Sequence, residues 1–241
     1  MVWWMIASLC AYFVKGLCGF ANTLVFTTIL SFGNSNVNIS PVELLLGYPT
    51  NVIMAWKERK AIKWSICLPL TAIVLAGSIP GIFFLKNADT GLLKVMFGLL
   101  IMFTGAEMLW REIRPKEKEQ SKIGLFIIGA LSGILCGLYG VGALLGAYLS
   151  RATEDSHAFK ANICMIFLAE NTFRIVLYSI WGIITLDILK QAVVLMPFML
   201  AGLFAGMVGS RVLNEKIIKK VVLVMLMVSG CALVLGGKLY G

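Results

Sequence analysis

The chain has 241 residues, 59% of them hydrophobic and only 14% charged, with a mean hydropathy of +0.91. That balance excludes a soluble globular domain and predicts an all-α polytopic membrane protein. The formal net charge is +9, but the lysines and arginines lie in the connections between apolar segments, a topology signal that excludes nucleic acid as a partner.

The first apolar segment runs from Met1 to Phe32 and is interrupted at Lys15-Gly16-Leu17-Cys18-Gly19-Phe20-Ala21-Asn22. As one helix it would be about 50 Å long, well beyond a hydrocarbon core of about 30 Å. It is too short for two spans of about 20 residues each. A hairpin that enters the bilayer, breaks at its glycines and returns fits the length, because glycine accepts backbone angles a helix cannot use. Met1–Phe13 lacks a basic n-region, so a cleavable leader is not expected there. Gly33–Ser40 reads as a polar link. Apolar segments follow at Pro41–Trp56, Trp64–Leu85 and Leu92–Trp110, with basic residues Lys57, Arg59, Lys60 and Lys63 between the first two.

Arg111–Lys122 is the strongly charged stretch and reads as a solvated linker, dividing residues 1–110 from residues 123–241. The second half repeats the plan. A broken segment, Ile123–Leu149, carries Cys136-Gly137-Leu138-Tyr139-Gly140-Val141-Gly142 at its centre. Apolar runs follow at Ala161–Trp181, Ile188–Val208 and Ile217–Leu235. Leu75–Gly81 pairs with Leu200–Gly206 at a shift of 125, and Lys15–Gly19 meets Cys136–Gly140 at a shift of 121. Ordered matches at nearly constant offset point to duplication, as in many secondary transporters.

Charge separates the two ways of threading these eight segments. If each broken segment crosses once, the two sides carry ten and eight basic residues and no orientation is preferred. If each returns to its starting side, one side collects fifteen and the other four. The positive-inside rule favours the second arrangement. The expected fold is therefore two inverted repeats, each a broken or re-entrant hairpin plus three transmembrane helices. Counting each hairpin as two helices gives ten. Both termini lie outside and the linker is cytoplasmic.

Irregular backbone at membrane depth persists only where protein or water satisfies its polar groups. Helix N-termini after each break, from about Phe20 and Val141, would offer free N–H groups and a positive dipole end to an anion. Lys15 at the first tip adds a full charge, and an ionisable residue within the membrane is by default a functional candidate. The competing reading has Lys15 snorkelling or paired with a carboxylate, and the glycines serving close helix contact. Gly16, Cys18, Gly19 and Asn22 are site candidates from the first break; Cys136, Gly137, Tyr139, Gly140 and Gly142 are the candidates from the second.

Glu170 and Arg174 lie four apart inside an apolar segment and can pair along one helix face. They either neutralise each other or serve as a proton site and an anion clamp. Asn51 and Asn171, related by a shift of 120, are candidate pore-lining groups. Glu107 and Arg111, at a helix end, read as a surface pair. The six tryptophans fall near segment ends as interfacial anchors. The six cysteines form no Cys-x-x-Cys pair, and His157 is the single histidine, so no metal and no cofactor is expected. No nucleophile–base constellation marks an enzyme.

Gly16-Leu17-Cys18-Gly19 and Gly137-Leu138-Tyr139-Gly140-Val141-Gly142, the basic turn before Ile62-Lys63-Trp64, and Gly77–Gly81 followed by Leu92–Gly98 together resemble the TauE/SafE family over nearly the whole chain. That resemblance implies a bacterial or archaeal inner-membrane transporter of small, often sulfur-containing anions such as sulfite, sulfoacetate or sulfonates; thiosulfate joins the expected substrates, and Glu170, by its place inside an apolar segment, is the candidate for proton coupling. Members commonly carry a Gly-x-Gly-Gly-Gly run after each break, whereas this chain has Gly19-Phe20-Ala21-Asn22 and Gly140-Val141-Gly142-Ala143. An uncoupled anion channel and a carrier for a non-sulfur organic anion are the alternatives, and oligomeric state is open.

Overall fold

The computed structural model describes residues 1–30, 36–87, 98–99, 102–103, 106, 130–134, 136, 142–153, 155–212, 224, 227–228, 231 and 234. The linker 111–122 and the site candidates Gly137, Tyr139 and Gly140 lie outside the described residues. Among the described residues every regular element is helical: α1 (Val2–Cys18), α2 (Asn22–Leu30), α3 (Asn36–Lys57), α4 (Trp64–Asn87), α5 (Ala143–Ala152), α6 (Ser156–Ile180) and α7 (Leu186–Val212), with a 3-10 turn at Arg59–Ala61. Within α4, and over the whole of α6 and α7, the chain is long and apolar enough to cross a membrane. Outward-facing Leu68 and Ile79 on α4, and Val193, Phe204 and Val208 on α7, are exposed as lipid contact requires. Trp3, Trp56, Trp64 and Trp181 are also exposed and stand at or beside helix ends, where an indole meets the headgroup region.

The chain reverses between α1 and α2, bringing Phe26 back against Trp4 with ring centroids 5.8 Å apart. A straight continuation would hold these two residues about 33 Å apart. The break is narrower than the sequence indicates. Lys15, expected at the tip, is still helical in the last turn of α1, and the second helix opens at Asn22, two residues after the expected Phe20. Only Gly19, Phe20 and Ala21 are irregular. Gly19 closes α1 in the left-handed region (φ 91°) with its N–H on the Lys15 carbonyl at 2.7 Å, the usual glycine helix stop.

The polar link also shifts. Asn36–Ser40, read as connection, is already helical in α3. This places Ser40, Glu43, Gly47, Thr50 and Asn51 along one face at helical spacing. On α6 the same spacing aligns Phe167, Glu170, Asn171, Arg174 and Tyr178. The two faces meet with the helices antiparallel: Ser40 contacts Arg174, Gly47 lies near Asn171, and Glu58 bonds His157. Asp155 caps α6 by accepting from the Ala158 N–H at 2.7 Å.

Close glycine contacts fix the remaining helices. Among the described residues the most extensive contact joins α1 to α7, where Gly202 packs on the Leu9 carbonyl and the Phe13 amide, and Gly206 on Phe13 and Gly16. In α4, Gly77 packs on the Ala130 carbonyl, Gly133 and the Ile134 amide. Adding 125 to Gly77 gives Gly202, and subtracting 121 from Ala130 and Ile134 gives Leu9 and Phe13. The two glycine contacts therefore use positions related by the sequence offsets 125 and 121. Of the fourth and eighth expected segments only scattered helical positions are described, and there Cys231 Sγ approaches Met102 Sδ at 3.9 Å.

Candidate functional site

The break leaves carbonyls that no helix partner can reach, and two thiols take them. Cys18 Sγ donates to the Phe20 carbonyl at 3.0 Å, and Cys164 Sγ of α6 to the Gly19 carbonyl at 3.4 Å. Cys18, expected near substrate, thus serves the break itself. Phe20 is driven between Gly146 of α5 and the Phe159 ring, whose centroid is 5.6 Å away. The Lys160 stem packs on Gly19. Ala21 is the one non-glycine with positive φ (69°) among the described residues. A Cβ in that region is disfavoured by about 1–2 kcal/mol, of which glycine returns part through its larger unfolded-state entropy. Ala21→Gly is therefore expected to stabilise by about 0.5–1 kcal/mol, a rise of about 2 °C in the thermal midpoint of the purified protein. A lowered midpoint would show that the Ala21 methyl packs more tightly than its dihedral suggests.

Beside this break lies a buried polar cluster drawn from four helices. Lys15 is 1% exposed, and its ammonium reaches the Gly47 carbonyl at 3.5 Å and lies 5.9 Å from the Tyr12 ring centre. Glu43, 4% exposed, accepts through Oε1 from Asn22 Nδ2 at 2.5 Å and from Thr23 Oγ1 at 2.8 Å. Tyr12 fixes the same turn of α3 by donating to the Glu43 carbonyl at 3.2 Å. Arg174 is fully buried; its Nη2 donates to Ser40 Oγ at 2.8 Å and Tyr178 Oη at 3.2 Å, and its Nε stands 3.7 Å from Glu170 Oε1. At 3.7 Å that is an ion pair without a hydrogen bond. Glu43 lies within electrostatic reach of both Lys15 and Arg174, so the four charges form one group.

Gly47 marks the centre of the cluster. A Cβ placed there would have Glu43 Oε1, Asn171 Nδ2 and Asn22 Nδ2 at 3.4, 3.6 and 3.7 Å. Asn171 makes no hydrogen bond with any described residue. Asn51 Oδ1, both Glu170 oxygens, and Arg174 Nε and Nη1 are likewise buried without hydrogen-bond partners. Unmade bonds of this kind are expensive in a low-dielectric interior, about 1–3 kcal/mol each and more for charged groups, which makes this cluster the candidate site.

The sequence candidates thus divide. Lys15, Asn22, Asn171, Glu170 and Arg174 come together, with Asn51 on the same face of α3. Cys136 is buried within electrostatic reach of Glu170 and Arg174, so this candidate from the second expected break lies in the same region. Gly142 precedes α5 and packs against the Phe167 ring. Gly16 lies in the α1–α7 contact, against Leu203, Gly206 and Met207, and performs close packing there. The sequence reading missed Glu43, Thr23, Ser40 and Tyr178. Glu43 carried a usable signal: it is the one acidic residue inside the apolar run Pro41–Trp56, and the rule that singled out Lys15 applies to it equally.

No curated protein and no solved structure matches the chain. The family model described as Sulfite exporter TauE/SafE matches residues 4–233. With a match over nearly its whole length, and with helices long and apolar enough to cross a membrane, the chain belongs to the TauE/SafE family of membrane transporters.

Proposed function

We propose that this protein is a secondary transporter that moves a small, sulfur-containing anion such as sulfite, thiosulfate, sulfoacetate or a sulfonate across a bacterial or archaeal inner membrane. The observation that carries this reading is the cluster around Gly47. The buried Lys15 ammonium and the Asn22 and Asn171 amides converge on one spot beside a backbone break, with the buried Arg174 within electrostatic reach of the Glu43 carboxylate there. Cationic and amide donors at a helix N-terminus are the groups that hold an oxyanion. Glu43 and Glu170 are the carboxylates available for proton coupling.

Two further observations support an inverted repeat with both termini outside. Equivalent second segments, α3 and α6, run antiparallel, as inversion requires and as parallel halves would forbid. The paired contacts of Gly77 and Gly202 at matching offsets fit a duplicated unit. Alternating access then amounts to rocking one hairpin-bearing unit against the other around the Gly47 region.

Flux of sulfite, thiosulfate and sulfoacetate into proteoliposomes tests the reading, with wild type beside Lys15→Ala. Saturable flux of at least one anion is expected in the wild type, reduced at least tenfold in the variant, since a lost charge-assisted contact is worth about 1.5–3 kcal/mol. Undiminished flux in Lys15→Ala would move the site toward Arg174. Absence of flux for all three anions would remove the substrate class.

A further inference from the structure

In the structure the seat for an anion is already taken by a carboxylate of the chain itself. Asn22 and Thr23 are the first two residues of α2, where the backbone N–H groups have no partner within the helix. Their side chains both donate to Glu43 Oε1, which reaches across from α3. A tethered negative charge therefore sits where that helix end would hold a free one. The same spot carries a second, independent mark of a ligand. Asn171, more than nine-tenths buried, directs its amide at the space above Gly47 without a hydrogen bond to any described residue.

The charges make the occupancy consequential. Lys15 and Arg174 balance Glu43 and Glu170, leaving the buried group neutral when all four are ionised. Adding a substrate anion to a neutral cluster away from water is strongly disfavoured unless a negative charge leaves at the same time. We propose that Glu43 is a tethered stand-in for the transported anion: substrate takes the seat at the start of α2 only when the Glu43 carboxylate leaves it and accepts one proton from the aqueous side then open. When the anion departs, Glu43 returns to Asn22 and Thr23 and releases that proton. One proton thus moves with each anion and offsets one of its negative charges. This mechanism rests on the reading of the chain as an anion transporter and assigns its coupling to a particular residue. The titratable and charged groups facing Glu43 are Tyr12 and Lys15 from α1 and Glu170, Arg174 and Tyr178 from α6; α2 contributes only neutral donors.

Binding of thiosulfate and of sulfoacetate to the purified protein between about pH 5.5 and 8.5 tests it, since both anions stay ionised throughout that range. Wild-type affinity is expected to fall as pH rises, by up to about tenfold per pH unit where Glu43 titrates. Glu43→Gln imitates the protonated side chain, so its affinity should be independent of pH, and its thiosulfate flux should no longer acidify the vesicle lumen. Thr23→Val removes one bond to the carboxylate, so protonation becomes easier and the wild-type profile should move upward by about one pH unit. This variant keeps the question answerable if Glu43→Gln fails to fold. His157→Asn, on the exposed pair with Glu58, should keep the wild-type profile. A wild-type slope in Glu43→Gln, or an unmoved profile in Thr23→Val, would overturn the role of Glu43 and leave the transporter reading intact. Failure of both anions to bind the wild type would remove the anion reading and this inference with it.

Discussion

Arg174→Ala is expected to lower stability by about 3–5 kcal/mol, the range for removing one partner of a buried charge pair. The loss has three parts. Glu170 is left fully buried with no cation 3.7 Å away, Ser40 and Tyr178 each lose a donor, and Glu43 loses one of the two positive charges within its reach. Unfolding of the detergent-solubilised protein, followed by thermal or denaturant titration, measures it. The double variant Arg174→Gln with Glu170→Gln should recover at least half of the loss, because the charges then leave as a pair. A single variant as stable as wild type would mean that Glu170 is already neutral in the folded protein, which would also end its candidacy as half of an ion pair.

The second large effect concerns a single methyl group. Gly206→Ala would set a Cβ against the Phe13 carbonyl and within 2.9 Å of Gly16 Cα, all backbone atoms of α1. Backbone cannot rotate away, so α1 and α7 must separate along their whole contact, at about 3 kcal/mol. Gly209→Ala, one turn further along α7, meets only the Leu17 Cδ2 methyl at 3.2 Å and a Phe13 ring atom at 4.0 Å. Those side chains can move, and alanine is the better helix former by about 1 kcal/mol, so Gly209→Ala should be neutral or stabilising. Equal melting temperatures for the two variants would contradict the α1–α7 crossing described above.

These contrasts show where the sequence was legible. Hydropathy located the long helices because each apolar run has to bridge the same thickness of hydrocarbon. The first break was legible from Gly16 and Gly19 together, yet the two residues do different work. Gly19 has the left-handed φ of a helix stop, while Gly16 is an ordinary helical residue that lets α7 approach. Nothing in one sequence separates these roles, since both need only the absence of a side chain. Pattern alone also put Lys15 at the tip, whereas the helix persists through Cys18 because no residue before Gly19 stops it. Glu170 and Arg174 were visible as a pair because their spacing is local. The link between Glu43 and Asn22 was hidden, because it joins separate helices whose register only the fold supplies.

The reciprocal glycine contacts have a consequence for how the protein is made. Among the described residues the most extensive partner of α1 is α7, which begins at Leu186, so α1 is made long before the helix it packs on. At about 5–20 residues per second that interval is roughly 10–40 s. Throughout it, Lys15 rests in a half-built bilayer segment, its Gly47 partner arriving early and the α7 wall much later. If the chain is cut between α4 and α5, α1 and α7 fall on different pieces, so the two coexpressed pieces are expected to co-purify. During synthesis of this chain, the side of α1 that packs on α7 therefore stays uncovered until that distant helix emerges.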